Sequence, residues 1–345
     1  MSVNVPIHPE QTILALPIPV TLLTGFLGAG KTTLLNGLLA GPALRRTAVI
    51  VNELGAIGID HDLVRVAEEQ TVRLMTGCLC CTVRGDLVRT LHLLRRERAL
   101  QQEPPFERVV IETTGIAEPG PVLQTLASDP VLEATYALSA VVTVVDAANG
   151  QATLRRHPEA ALQVALADRL VVSKTDLVPE TATASLHAQL RRINGNAPIV
   201  TSHAAVADPD LVLAPVDGSA ERVLGWLGQV ADNAHQQHRH HGDELGSFCL
   251  RDPKAVRAEV LADFLDVLTA DRGDDLLRVK GLVKLAEQPE RPLAVHVVQH
   301  LVHEPFALDA WPSADRDTRM VFITRGIPGD AVRRFWQALT GPGRS

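Results

Sequence analysis

A glycine-rich segment near the start of the chain constrains the fold more than any other feature. The apolar run 20–23 is followed by Gly-Phe-Leu-Gly-Ala-Gly-Lys-Thr at residues 25–32, which fits the pattern GxxxxGK[ST] in a strand-then-helix setting. Glycines there let backbone amides converge on phosphate oxygens, and the following helix directs its positive dipole end at the same anions. A glycine-rich turn before an ordinary helix is the alternative. The segment predicts a phosphate-binding loop whose ligand is a nucleotide polyphosphate.

The same pattern predicts a role for individual side chains. Lys31 is expected to reach the β and γ phosphates, and Thr32 to place its hydroxyl on Mg²⁺. The nucleotide-binding residues predicted within this segment are Gly25, Gly28, Ala29, Gly30, Lys31, Thr32 and Thr33.

Length and composition indicate a globular protein with two domains. The 345 residues are about twice a typical domain. A formal net charge of −7 argues against a nucleic-acid surface, which usually carries a basic patch. The sequence has no run of 18 or more uncharged apolar residues, so no membrane span is expected. The first 19 residues lack a basic region and contain four prolines, which does not suit a signal peptide, so we expect a cytoplasmic protein.

Short β-branched runs alternate with helical patterns from residue 20 onward, which indicates a parallel sheet covered by helices. The predicted strands are 20–23, 48–51, 71–74, 108–111, 140–145, 169–172 and 198–201. Helices are predicted between them, among others at 31–39 and 86–98. We therefore predict an α/β fold with a doubly wound, mostly parallel sheet over residues 18–230, preceded by a tail at 1–17.

The rest of the chain predicts a linker and a smaller domain. Residues 231–247 are polar and include four histidines, at 235, 238, 240 and 241, for which a solvated linker is favoured over metal loading. Residues 248–338 are expected to form an α+β domain, with a helix at 253–269 and strands at 276–285, 294–300 and 319–324. His296, His300 and His303 are interpreted as packing or surface residues, and Cys249 as a small core residue.

Glu112 ends a buried strand and is followed by Thr-Thr-Gly. In a phosphate-loop protein, a carboxylate at such a position holds Mg²⁺ or its waters, and a glycine three residues later lets the backbone contact the γ phosphate. Glu112 is thus predicted, with Lys31, as a catalytic residue that anchors Mg²⁺ or positions water. An exposed glutamate at a strand end is the alternative.

The stretch Ser-Lys-Thr-Asp at residues 173–176 follows another buried strand and is similar to the guanine-reading NKxD element. The Asp176 carboxylate can accept hydrogen bonds from N1–H and the 2-amino group of guanine, which adenine does not offer. Lys174 and Asp176 are therefore predicted to bind the nucleotide, and GTP is the predicted ligand. Ser173 stands where the pattern usually has Asn, which weakens the expected contact near the phosphate loop. A helix start capped by aspartate is the alternative.

Three of the four cysteines lie within four residues, at Cys78, Cys80 and Cys81, too close together for a disulfide framework. Thiolates favour Zn²⁺ and other late metals, and three of them leave one tetrahedral position open for transfer. Buried inert cysteines and a redox pair are the alternatives. Glu53, in a glycine-punctuated segment after the strand at 48–51, is a candidate ligand of Mg²⁺ or of the transported metal, or a solvated carboxylate. Because these segments follow sheet strands, we expect the cysteines on the same rim as the phosphates.

With these motifs in this order, the chain resembles the CobW-like metallochaperone GTPases of the SIMIBI class. The resemblance continues at residues 275–281 and 300–311, which are similar to the C-terminal domain of that family. It implies a GTPase that binds zinc or a similar ion at its CxCC motif and passes it to a client metalloprotein, with GTP hydrolysis controlling release. Hydrolysis in such switches is slow without a stimulating partner. It also implies that Cys78, Cys80 and Cys81 form the metal site.

The leading hypothesis is therefore GTP-dependent metal delivery with GTP, Mg²⁺ and Zn²⁺. Zinc is favoured over cobalt by the general order of divalent affinities, but cobalt delivery for cobalamin synthesis stays open. A metal buffer or sensor with a structural nucleotide is a second hypothesis, and a kinase or ATPase acting on a small substrate is a third. The motifs leave the client and the oligomeric state open.

Overall fold

The computed structural model describes residues 17–41, 44–51, 83–100, 106–195, 197–214, 238–239 and 245–341. These residues form two sheets with their covering helices. The predicted strand at 71–74 lies outside the described residues, as does most of the predicted linker.

The first sheet contains six parallel strands among the described residues. They are β1 (Ile18–Thr24), β2 (Thr47–Val51), β3 (Arg108–Glu112), β4 (Tyr136–Asp146), β5 (Arg169–Ser173) and β6 (Ile199–Thr201), in the spatial order β2-β3-β1-β4-β5-β6. The strands are almost continuously apolar because apolar clusters cover the sheet on both faces. The predicted α/β fold is confirmed.

Helices connect these strands. They are α1 (Lys31–Leu39), α2 (Val83–Leu100), α3 (Gly120–Ser128), α4 (Pro130–Thr135), α5 (Gly150–Arg156), α6 (Pro158–Leu166), α7 (Glu180–Ile193), α8 (Ser202–Ala207) and α9 (Asp210–Leu213). Helix α2 buries Leu87, Leu91 and Leu94, the apolar face expected from their spacing. None of the described helices is both long enough and apolar enough to cross a membrane.

The second sheet is antiparallel and belongs to the C-terminal domain. Its strands are β7 (His238–Arg239), β8 (Leu245–Asp252), β9 (Arg278–Val283), β10 (Leu293–Val298), β11 (Leu301–Val302), β12 (Phe306–Ala307) and β13 (Thr318–Arg325). The order is β11-β10-β9-β13-β8-β7, with β12 paired to β10. Helices α10 (Ala258–Arg272) and α11 (Gly329–Thr340) pack on it through Phe264 and Trp336, whose rings meet edge to face at 4.8 Å. The predicted α+β domain is confirmed.

The structure differs from the expected elements at the start of this domain. Strand β8 begins at Leu245, within the predicted linker, and pairs with both β13 and the two-residue β7. The predicted helix 253–269 begins only at Ala258. The reason is that Val256 donates its N–H to Lys284 O at 2.9 Å and accepts Ala286 N–H at 2.8 Å, which holds this segment extended. The boundary predicted at 230 lies outside the described residues and stays a prediction.

A group of three buried charged side chains and two half-buried histidines joins the two domains. We call it the interdomain cluster; its members are Asp168, Arg278, Lys280, His296 and His303. Asp168 Oδ1 accepts hydrogen bonds from the guanidinium of Arg278 and, at 2.9 Å, from Lys280 Nζ. Arg278 also donates to His296 Nε2 at 2.9 Å, and the rings of His296 and His303 stack with centroids 4.3 Å apart.

The electrostatics of this cluster follow from burial and from opposite charges. Burial alone would raise the pKa of Asp168, but Arg278 and Lys280 outweigh it and hold that pKa well below its usual range. Burial, assisted by Arg278, lowers the pKa of Lys280 to about 8, and burial lowers the pKa of His303 to about 4. Both domains contribute to the apolar core around this cluster, since Leu277, Val298 and Ile323 of the C-terminal domain belong to the same buried core as Leu162 and Leu166 of α6.

Candidate nucleotide and magnesium site

The phosphate-binding loop of the sequence prediction lies between β1 and α1, at the carboxyl edge of the first sheet. Gly25 has a φ of +141°, and a Cβ there would lie 2.3 Å from the backbone oxygen of Val144, so only glycine fits. Gly30 has a φ of +92° and is the N-cap of α1. The loop therefore presents backbone amides and a helix N-terminus, the combination that binds phosphate.

Lys31 is buried at the first position of α1, and its ammonium group lies over the loop. Lys31 Nζ donates to Gly25 O at 2.9 Å and to Phe26 O at 3.4 Å. A cation held by backbone carbonyls of the loop is close to any phosphate that the loop binds. Thr33, the last residue of the predicted set, is exposed on α1.

Thr32 and Glu112 meet at the end of β3. Thr32 Oγ1 donates to Glu112 Oε1 at 2.7 Å, and the Glu112 side chain is buried. The next residue, Thr113, continues the attachment to β1, because its N–H donates to Leu23 O and its hydroxyl to Thr24 Oγ1. A hydroxyl and a carboxylate side by side are hard oxygen donors of the kind that Mg²⁺ takes together with phosphate oxygens, so these residues fit the ion.

The base-side segment is attached directly to the phosphate loop. Ser173 Oγ donates to Ala29 O at 2.6 Å, and Lys174 Nζ donates to Gly28 O at 2.7 Å. The serine thus makes a close contact with the loop, whereas the sequence predicted this contact to be weak. Asp176 lies in the short 3₁₀ turn Thr175–Leu177 and is exposed at the rim, where a carboxylate is accessible to a base.

Asp146 is a residue that the sequence analysis missed. It ends β4, and its Oδ2 accepts a hydrogen bond from Lys174 Nζ at 2.6 Å. Burial would raise the pKa of Asp146, but the hydrogen bonds from Lys174 and Asn149 lower it, so the carboxylate stays ionised. Its position at the end of the apolar run 140–145 was the available signal, because charged residues at the carboxyl edge of a parallel sheet lie near the ligand.

The predicted metal ligands Cys78, Cys80 and Cys81 and the candidate Glu53 lie outside the described residues. The chain on either side of them is described: Val51 ends β2 as the register partner of Glu112, and α2 begins at Val83. Among the residues that the structure describes, no group of three or more His, Cys, Asp or Glu side chains could hold a metal ion. Cys249, in β8, is half-buried, and burial raises the pKa of its thiol.

Comparison with known protein families decides the classification. The sequence model of the CobW/HypB/UreG nucleotide-binding domain matches residues 19–201, and that of the cobalamin synthesis protein cobW C-terminal domain matches residues 245–340. The chain belongs to the CobW family. The family predicted from the motifs is confirmed. The two matched regions of this CobW-family protein contain the parallel sheet from residue 19 onward and the antiparallel strands β8 to β13.

Individual relatives agree with this result. The chain is 34% identical over 327 residues to the zinc chaperone YjiA of Escherichia coli, covering 94% of this chain and 99% of that protein. It is 37% identical to the zinc-regulated GTPase metalloprotein activator 1 of Schizosaccharomyces pombe, over 72% of this chain and 65% of that protein. Among solved structures, the zinc(II)-bound YjiA GTPase of E. coli matches with a TM-score of 0.64 at 29% identity, covering 94% of this chain and 99% of that chain.

Proposed function

We propose that this CobW-family GTPase uses GTP binding and hydrolysis to control the capture and release of zinc, which it transfers to a client metalloprotein. The observation that carries the proposal is the contact between Thr32 and Glu112 beside the phosphate loop, with β2 ending at Val51 next to Glu112. The names of the relatives support the zinc cargo, since they are zinc chaperones and a zinc-regulated activator.

In this proposal, the phosphate loop and Lys31 bind the triphosphate. Lys31 exchanges the carbonyls of Gly25 and Phe26 for phosphate oxygens, and its positive charge opposes the charge that develops during phosphoryl transfer. Thr32 and Glu112 hold Mg²⁺, which when bound neutralises charge on the β and γ phosphates. The Glu112 carboxylate also orients water through hydrogen bonds at the end of β3.

The base is read by Asp176 and supported by Lys174. Asp176 accepts two hydrogen bonds from the guanine edge, and adenine lacks both donors. A charge-assisted hydrogen bond contributes roughly 1.5 to 3 kcal/mol, so their loss strongly disfavours ATP. Lys174 holds the segment that carries Asp176 against the phosphate loop, because its ammonium group donates to both Gly28 O and Asp146 Oδ2.

The zinc cargo binds at Cys78, Cys80 and Cys81. Along the chain, Glu53 lies between the end of β2 and these cysteines. The segment that carries these residues is attached to the nucleotide site at Val51, the neighbour of Glu112. A triphosphate that reorganises the surroundings of Glu112 therefore acts on the first residues of the metal-binding segment. After hydrolysis the segment relaxes, and ligands of the client capture the ion.

Zinc affinity in two nucleotide states tests the coupling. Chelator competition with a nonhydrolysable GTP analogue and with GDP should give dissociation constants that differ by about tenfold, within the usual range of coupling between two sites. Because coupling is reciprocal, zinc should change the ratio of analogue to GDP affinity by the same factor. Equal zinc affinities in the two states would refute the coupling.

A pair of cysteine variants tests the metal site. Cys80→Ser should weaken zinc binding and leave GDP affinity unchanged, because it removes one of three thiolate ligands and none of the residues proposed to bind the nucleotide. Cys249→Ser is the matched control, since that thiol lies in β8 of the C-terminal domain. The assignment would be overturned if zinc affinity fell equally in both variants, or if it did not fall in Cys80→Ser.

Two further measurements separate the competing functions. A metal buffer with a structural nucleotide would release no phosphate from GTP above a Lys31→Ala control, whereas the proposed protein hydrolyses GTP slowly, at about 10⁻⁴ to 10⁻² s⁻¹ without a partner.

The base preference tests the role of Asp176. Asp176→Asn should weaken the binding of GTP and strengthen the binding of xanthosine triphosphate, because the amide can donate a hydrogen bond where the carboxylate only accepts. Unchanged base preference would refute the role of Asp176.

A further inference from the structure

Gln163 is a fully buried amide in α6 that no part of the proposed mechanism uses. Its Nε2 donates to Gly115 O at 3.3 Å and to Ala117 O at 3.1 Å. Both carbonyls belong to the loop that follows Glu112. Gln163 is therefore a distant contact, 48 residues along the chain from Gly115, that fixes the backbone of this loop.

The loop held by Gln163 lies against the phosphate loop. A Cβ on Gly115 would lie 2.5 Å from the backbone nitrogen of Leu27, so the two loops touch backbone to backbone. Ile116 follows and is 53% exposed. In several phosphate-loop GTPases a glutamine side chain orients the attacking water, but an alkyl side chain offers no hydrogen bond. Residues 115–117 are Gly, Ile and Ala and carry no polar side chain, so any hydrogen bond that they make to the γ phosphate comes from the backbone. The position of that backbone then affects the reaction.

The environment of Gln163 shows that packing alone does not account for it. Gln163 lines a cavity of about 210 Å³ together with Leu27 and Gly28 of the phosphate loop. Its Oε1 is buried and has no hydrogen-bond partner among the described residues. Burying an amide with its acceptor unpaired is unfavourable compared with an apolar side chain of the same size. The two hydrogen bonds that Gln163 donates to the loop offset the cost of its unpaired acceptor.

Helix α6 is itself held at its carboxyl end, which makes Gln163 a rigid donor. Arg278 of the C-terminal domain donates to Leu166 O, and Asn194 Nδ2 donates to the carbonyls of Val164, Ala165 and Ala167. Thr143 Oγ1 donates to the backbone oxygen of Gln163 at 2.7 Å and ties the helix to β4.

We propose that Gln163 is a positioning residue for GTP hydrolysis, which holds the backbone of residues 115–117 where it contacts the γ phosphate. This inference rests on the proposed function, because it takes the loop after Glu112 as the γ-phosphate contact. In this inference Gln163 acts on the reaction through the loop, by its hydrogen bonds to the carbonyls of Gly115 and Ala117. Its loss should therefore slow turnover without weakening the binding of GDP, which has no γ phosphate.

The test compares single-turnover GTP hydrolysis and GDP affinity in Gln163→Met and in wild type. Methionine preserves the shape but removes both donors, so kcat should fall about tenfold or more, as when a preorganised contact is lost, while the GDP dissociation constant stays within about twofold. Thr269→Val is the control, because it removes a buried hydroxyl that bonds to Leu265 O within α10 at 2.9 Å, away from the loop. It should lose stability but keep kcat.

A second variant provides a readout that a structural role would not change. In Gln163→Glu, a protonated carboxyl donates one hydrogen bond, whereas the carboxylate repels both carbonyls. Its kcat should therefore rise as pH falls, with a titration step that is absent from wild type and from Gln163→Met.

Three outcomes would overturn the inference: a wild-type kcat in folded Gln163→Met, an equal loss of GDP affinity and kcat, or a Gln163→Glu pH profile identical to that of wild type. Failure of the proposed function is a different result, because wild-type protein would then release no phosphate above Lys31→Ala.

Discussion

The phosphate-loop site and the interdomain cluster are both built from buried or half-buried charges, but their partners differ in kind. At the loop, Lys31 and Lys174 donate to backbone carbonyls, and Lys174 also contacts Asp146 at a partly exposed edge. In the interdomain cluster, Asp168 receives two cations while its side chain is 1% exposed. A lysine can replace its contacts with backbone carbonyls by contacts with phosphate, whereas the charged groups of the interdomain cluster are already paired with one another. The first arrangement suits ligand binding, and the second fixes two domains together.

The largest expected effect is on stability, and it comes from the interdomain cluster. Arg278→Met removes a cation from a fully buried carboxylate and should lower the free energy of unfolding by about 3 to 5 kcal/mol, the usual result of breaking a buried ion pair. Urea denaturation monitored by tryptophan fluorescence measures it.

A surface pair provides the control for this experiment. Arg316 pairs with Glu290 where both side chains are more than half exposed, and Arg316→Met should cost no more than about 1 kcal/mol. Equal losses in the two variants would remove the distinction between the cluster and an ordinary ion pair.

The next effect is on nucleotide binding, with little effect on stability. Asp146→Asn removes the carboxylate partner of Lys174, a charge-assisted hydrogen bond that contributes roughly 1.5 to 3 kcal/mol. Without this carboxylate, the position of the Lys174 ammonium group between base and phosphate is less well fixed. GDP should therefore dissociate about tenfold faster or more, as measured by stopped flow with a fluorescent analogue. Asp208→Asn, at an exposed aspartate between α8 and α9, is the control. An unchanged dissociation rate in Asp146→Asn would show that the ion pair does not support the nucleotide.

The interdomain cluster should lose stability in acid. In the folded protein, burial lowers the pKa of His303 to about 4, whereas an unfolded histidine titrates near 6.5. Between these values the unfolded chain binds more protons, so stability decreases as pH falls from about 6.5 to about 4, by at most about 1.4 kcal/mol per pH unit for this group. His296, Asp168, Arg278 and Lys280 face the same ring and contribute their own titrations.

His303→Gln isolates the contribution of this histidine. Urea midpoints measured from about pH 7 to about pH 4 should fall less steeply in the variant than in wild type, because one proton-binding difference is gone. Parallel curves would mean that His303 is protonated in the folded protein as readily as in the unfolded chain.

The same two regions show what the sequence could predict. The phosphate loop and Glu112 could be located because their spacing along the chain is set by local geometry, a strand followed at once by a loop and a helix. The interdomain cluster could not, since Asp168 and Arg278 are separated by 110 residues and their charges predict solvated surface positions. His296 and His303 do pack, ring against ring, but the sequence does not predict that His296 also contacts Arg278 on the neighbouring strand. Strand β8 was missed because its pairing with β13 involves residues about 70 positions away.

The smallest effect concerns the substitution that distinguishes this chain from the usual guanine-reading pattern. Ser173→Ala removes a buried hydroxyl whose bond to Ala29 O is 2.6 Å long, and such a bond contributes about 1 kcal/mol. GTP and GDP affinity should weaken together by about fivefold, because the loop loses an anchor on the base side, while the preference for GTP over ATP stays unchanged because Asp176 is intact. Ser139→Ala in β4 is the matched control: that hydroxyl is buried without a hydrogen-bond partner among the described residues, so its removal should be neutral or stabilising. A change in base preference in Ser173→Ala would mean that the serine reads the base rather than anchoring the loop, and the contact with Ala29 would then be incidental.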